Sequence, residues 1–130
     1  MTELYRNDYM AATLDADLLT LAWRCEEPDD EHAVETVKQL TRALDAHLAA
    51  SPGIKVNVLV DLVPVKRNYP KAVSTFSAWM LGKRHHVRAG AFATKSLMLR
   101  AALSAAALMP GLTAKGFSDA ESALRFLRER

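Results

Sequence analysis

The run Val56-Asn57-Val58-Leu59-Val60 constrains the fold of this chain more than any other feature. It is short, almost wholly apolar and rich in β-branched side chains, which suit a pleated surface better than a helix. A strand with no polar face reads as a central strand covered on both sides, the environment of a parallel sheet layered with helices. The flanking sequence agrees. Val34, Val37, Leu40, Leu44 and Leu48 recur every three or four residues, which predicts a helix over Asp29–Ala50, stopped by Ser51-Pro52-Gly53. After the strand, Asp61 opens a loop with Pro64, Lys66-Arg67 and Asn68-Tyr69-Pro70. A second helix is expected over Lys71–Gly82, with Val73, Phe76 and Trp79/Met80 on one face. Parallel strands joined through a helix cross over right-handedly.

The remaining segments extend this scheme. Tyr5 to Arg24 reads as two strands joined by a turn at Asp15-Ala16-Asp17, since Leu19, Leu21 and Trp23 alternate with Thr20, Ala22 and Arg24. Such a leading pair predicts an antiparallel hairpin at one edge. Val87–Ala93 is a further strand containing Ala89, Gly90, Ala91 and Ala93, small residues that let a helix or ligand approach its backbone. A third helix, Lys95–Met109, is apolar almost all round and ends at Pro110-Gly111. Leu112–Phe117 predicts a last strand. Ser118-Asp119-Ala120-Glu121 has the form of a capping box, and Ala120, Ala123, Leu124 and Leu127 would face inward from the final helix. The expected architecture is one α/β domain over residues 1–130, ordered β-β-α-β-α-β-α-β-α, with a mixed sheet of about five strands and four helices.

Composition and charge bound the function. With 50% hydrophobic and 25% charged residues the chain is globular in kind. Its longest strongly apolar stretch, Ala101–Met109, is far short of the roughly 20 residues of a membrane span. The polar, acid-bearing start is unlike a signal peptide, and a lone Cys25 fits a reducing compartment, so a cytoplasmic protein without integral membrane association is expected. The net charge of +2 is uneven. Residues 1–50 carry four Lys/Arg against eleven Asp/Glu, a balance of −7, and residues 51–130 carry thirteen against four, a balance of +9. This asymmetry fits an anion-binding face, an acidic helix near a basic one, or two subunits meeting head to tail.

Catalytic signatures are missing from the sequence. It contains no Gly-x-Ser-x-Gly elbow, no phosphate-binding P-loop and no Gly-x-Gly-x-x-Gly. The Asp61–Lys71 connection has no glycine with which to wrap a phosphate, so no nucleotide site is expected. His32 and His47 lie about 22 Å apart along one helix, and His85-His86 reads as part of a basic rim rather than a metal site. Cys25, among acids, reads as an inert thiol. Asp61, at the carboxyl end of the central strand, stands where open α/β sheets place functional groups, although a turn residue accepting N–H bonds is the simpler reading. Trp23, Phe76, Trp79 and Phe92 are read first as core aromatics. No enzymatic activity, cofactor, metal or nucleic-acid partner is expected.

Two features remain. The third helix has more apolar circumference than one sheet covers, which calls for complete burial, a partner or an apolar ligand. Its start, Thr94-Lys95-Ser96, offers free N–H groups, two hydroxyls and an ammonium to an anion, with an ordinary threonine cap as the plainer alternative. A groove lined by Phe76, Trp79, Met80, Leu99 and Leu103 would take an apolar tail, with Lys66, Arg67, Lys83, Arg84 or Lys95 meeting an anionic head. A homodimer through the apolar helix would explain the same surface.

The hairpin, the strand Val56–Asp61 entering a helix, the strand Val87–Ala93 before an apolar helix, and the ending Phe117-Ser118-Asp119-Ala120-Glu121-Ser122-Ala123-Leu124-Arg125-Phe126-Leu127 together resemble the SpoIIAA-like group of the STAS superfamily. The resemblance spans nearly the whole chain and implies a mixed sheet, helices mainly on one face, and no catalysis. Anti-sigma-factor antagonists of that superfamily carry a phosphorylated Asp-Ser pair where the helix opens after the central strand. Here the stretch reads Asn68-Tyr69-Pro70-Lys71, with Tyr69, Ser74 and Thr75 as the nearest hydroxyls, so the pair is missing. The group's likeness to lipid-binding CRAL-TRIO domains implies an apolar groove under its helices. The expected roles are therefore binding of a lipid-like or other apolar anionic ligand, or regulation of a protein partner.

Overall fold

A computed structural model describes residues 1–24, 27–106 and 111–130. The expectations for Cys25 and for the end of the third helix beyond residue 106 fall outside them. The chain orders as β1 (Thr2–Arg6), β2 (Met10–Asp15), β3 (Leu18–Trp23), α1 (Asp30–Ala50), β4 (Val56–Asp61), α2 (Pro70–Gly82), a 3-10 turn (Arg84–His86), β5 (Val87–Ala93), α3 (Leu97–Ala106), β6 (Ala114–Phe117) and α4 (Ala120–Arg128). The strands lie in sequence order in one sheet; β1–β3 pair antiparallel and β3–β6 pair parallel. The sheet therefore has six strands rather than about five, because Thr2–Arg6 pairs with β2. Its mostly exposed side chains leave the segment without the alternation that marks β2 and β3.

Side-chain alternation along β4 explains the layering. Val56 and Val58 face α1 and α2 in a core with Met10, Leu21, Leu40, Leu44 and Met80. Leu59 faces the other way, joining Ala89, Ala91, Ala93, Ala123 and Leu127 beneath α4. The three alanines of β5 let α4 lie close on the strands, the close approach that their size anticipated. Asn57 ties that helix down: its buried side-chain amide donates to the Leu127 carbonyl at 3.1 Å, satisfying an orphan group of the α4 terminus. Helices α1, α2 and α3 cover the opposite face, so three of four share a side.

The helix ends show where local chemistry decides. Asp29 caps α1 by accepting from the His32 N–H at 2.8 Å, and Ser51 closes it through an N–H to Leu48 O. α4 is capped by Asp119, which accepts from the Ser122 N–H at 2.7 Å, rather than by the Ser118–Glu121 box. The helix starts one residue later than that box requires, and Glu121 instead faces Arg125 at 3.7 Å. α3 starts at Leu97 rather than Lys95, with the Leu99 N–H donating to Ser96 Oγ. His85 and His86 sit in the 3-10 turn, rings 4.2 Å apart. His86 is buried with Nδ1 2.9 Å from Ile54 O, so it contributes nothing to a basic rim. Among the described residues, no helix is long and apolar enough to cross a membrane.

Candidate functional site

Between the sheet and α2 lies a cavity of about 140 Å³. Its floor is built by Leu21, Val58, Val60, Gly90 and Phe92 from β3, β4 and β5; its walls come from Val37 and Leu40 of α1, Phe76 and Met80 of α2, and Leu99 and Leu103 of α3. The space exists because α2 meets α1 and α3 at its flanks and stands off the strands below, whereas α4 on the other face lies close. Gly90 contributes by lacking a side chain: a Cβ there would sit 3.6 Å from Met80 Cε.

The polar groups of the cavity gather where the segment before α1 meets the segment before α2, at the carboxyl ends of β3 and β4. Glu27 Oε1 accepts the backbone N–H groups of Lys66 and Arg67. The Arg67 guanidinium donates to Asp30 Oδ1 at 2.9 Å and lies 5.0 Å from the centre of the Tyr69 ring. The Tyr69 hydroxyl donates to Pro28 O at 2.6 Å. Burial is the first cause that pushes the Tyr69 phenol above its ordinary pKa; the Glu27 and Asp30 charges add to it and Arg67 opposes them. The mouth is thus a set of groups bonded to one another, with the Arg67 and Asp30 side chains still about half exposed.

The sequence-predicted residues divide clearly. Phe76, Met80, Leu99 and Leu103 converge on the cavity, and Arg67 stands at its mouth. Trp79 does not line it: its indole N–H donates to Asp45 Oδ1 at 2.8 Å, its ring stacks on Phe76, and it borders a separate space of about 20 Å³ with His47 and His86. Lys83 is held by Asp45 at 3.4 Å, and Arg84 donates to Leu81 O. Thr94 is fully buried, its Oγ1 accepting from the Ser96 N–H, and so presents no hydroxyl to a ligand; Ser96 caps α3 by accepting from the Leu99 N–H and stays partly exposed. Lys66 and Lys95 are exposed. Asp61 accepts from the Val63 N–H at 3.1 Å, the turn role. Among the described residues no three His, Cys, Asp or Glu converge as metal ligands. Glu27, Tyr69, Ser77 and Phe92 were not anticipated at the cavity; the connection Glu27–Asp29 reads as a helix opening, and only the fold brings it against Lys66–Tyr69.

α3 is not enclosed by its own chain: Leu97 and Met98 are 74% and 77% exposed, while Leu99 next to them is buried.

No family model and no curated protein matches this chain. Among solved structures it is similar to an uncharacterised protein of the DUF3478 family with a SpoIIAA-like fold from Shewanella loihica PV-4, with 19% identity, 95% of this chain and 98% of that chain covered, and a TM-score of 0.63. The chain therefore has a SpoIIAA-like fold, as the resemblance read in its sequence implied.

Proposed function

We propose that this chain is a non-catalytic binding module that takes an apolar ligand, or the apolar part of a lipid-like one, into the cavity beneath α2. The observation that carries this reading is the cavity, about 140 Å³ with an almost wholly hydrophobic lining. Water held there finds few of the two to four polar partners it needs. The absence of catalysis is supported by the mouth, where Glu27 and Arg67 are engaged by neighbours rather than presented to a substrate. Native mass spectrometry of the purified chain, followed by organic extraction and thermal-shift screening with apolar compounds, tests the reading. An adduct released on denaturation, or a raised melting temperature, is the expected outcome; an empty chain that no apolar compound stabilises contradicts it.

A second reading, recruitment of a protein partner or a second copy, is supported by the exposed Leu97 and Met98. Sedimentation of wild type and of a Leu97→Ser/Met98→Ser variant at several concentrations tests it: loss of self-association in the variant supports a homodimer, and a wild-type monomer at all concentrations removes it.

A further inference from the structure

Given a ligand site in the cavity, we infer that its occupant is a neutral, compact aromatic compound with one hydrogen-bonding group, not a long-chain or anionic lipid. Size argues first. The cavity of about 140 Å³ is close to the roughly 150 Å³ of an apolar cavity known to hold benzene. A single ring matches that volume, whereas a long acyl chain has to extend out through the open side and leave apolar surface in water. The walls argue for an aromatic ring in particular. Trp23, Tyr69, Phe76 and Phe92 all reach the space, and edge-to-face or offset contacts with such rings add about 0.5–1.5 kcal/mol beyond area burial. The Met80 side chain adds a polarisable thioether.

The mouth argues against an anion. A ligand carboxylate reaching Arg67 must share its guanidinium with Asp30, held at 2.9 Å, and must lie beside the Glu27 carboxylate. Lodged deeper, it meets only hydrocarbon and loses its hydration without a counter-charge. For a neutral polar group the position is different. Among the described lining residues, hydroxyls come from Tyr69 and Ser77; that of Tyr69 already donates to Pro28 O and can only accept, so Ser77 on α2 is the hydroxyl left to exchange both donor and acceptor with a phenol or an amine.

Isothermal titration of the full chain with toluene, p-cresol, benzoate and laurate separates the possibilities. Toluene and p-cresol should bind, benzoate at least about tenfold more weakly than p-cresol because its charge is desolvated, and laurate more weakly than either ring. Ser77→Ala should weaken p-cresol about 3- to 10-fold, the loss of one hydrogen bond, and leave toluene unchanged. Laurate binding tightest, or benzoate matching p-cresol, overturns the compact neutral class while leaving an apolar site in place. Equal weakening of toluene and p-cresol in Ser77→Ala overturns the hydrogen-bonding role. If none of the four binds, the compact aromatic class is overturned, and the ligand-site reading is decided by the extraction and thermal-shift screen.

Discussion

Gly116 and Gly90 lie on the neighbouring strands β6 and β5 and should respond oppositely to alanine. Gly116 on β6 is the register partner of Phe92 on β5, and the phenyl ring lies over the glycine. A Cβ at Gly116 would stand 2.5 Å from Phe92 Cε2, 2.7 Å from Cζ and 3.2 Å from Arg100 Cγ. Carbon atoms rest at about 3.5–4.0 Å, so the ring must retreat by about 1 Å. Overpacking of this kind costs about 1–3 kcal/mol, against which relief of glycine's backbone entropy returns about 0.5–1 kcal/mol. At Gly90 the nearest atoms are 3.6, 3.7 and 3.9 Å away, ordinary contacts, so only the gain remains. Gly116→Ala should therefore lower the midpoint of a circular-dichroism melt by roughly 3–10 °C and Gly90→Ala should hold or raise it. Because Phe92 also lines the cavity, its retreat should weaken toluene binding in Gly116→Ala as well. A Gly116→Ala protein as stable as wild type would refute the reasoning, since it would mean the ring does not rest on this glycine.

Three further outcomes follow from the local geometry. Ala16 holds φ at 53° in the exposed turn between β2 and β3, a left-handed value that costs an L residue about 1–2 kcal/mol, so Ala16→Gly should raise stability by about 0.5–1 kcal/mol in chemical denaturation. Asp119→Ala should cost about 1 kcal/mol in the same assay and Ser118→Ala almost nothing; the reverse order would restore the capping box. The carboxyl groups of Asp17, Asp29 and Asp119 are held below their ordinary value of 3.8, first by hydrogen bonds from Arg88, the His32 N–H and the Ser122 N–H respectively. Groups with depressed folded pKa values stabilise the native state above the unfolded value and lose that contribution as pH falls through the folded one. Melting temperature should therefore fall below about pH 4, and less steeply in a chain with all three changed to Asn.

Much of the scaffold was legible because its periodicities are strong. The all-apolar β-branched Val56–Val60 and the stripe from Val37 to Leu48 leave little choice of structure, and the Ser51-Pro52-Gly53 stop separates them. β1 was obscure because an exposed edge strand carries no buried alternation to read. The α4 cap was misplaced because Ser118 and Asp119 are both good caps and only tertiary context sets which begins the helix. The site divides in the same way. Phe76, Met80, Leu99 and Leu103 follow from helical spacing, which tells what faces inward. Trp79 shares that face, yet the Asp45 carboxylate on α1 draws its indole aside, a contact across 34 positions that no local pattern encodes. The mouth was hidden for the same reason, being assembled from Glu27, Asp30 and Arg67 about 40 positions apart. Arg67 and Lys83 each meet an acid, Asp30 and Asp45, across the fold, while Lys66 and Lys95 stay exposed.

Methyl-resolved NMR of the chain during a toluene titration tests the central claim most directly. If the space beneath α2 takes the ring, the Met80, Leu99 and Leu103 methyls should shift together and saturably, with Leu97 and Met98 unmoved. Shifts confined to Leu97 and Met98, or none at all, would contradict it.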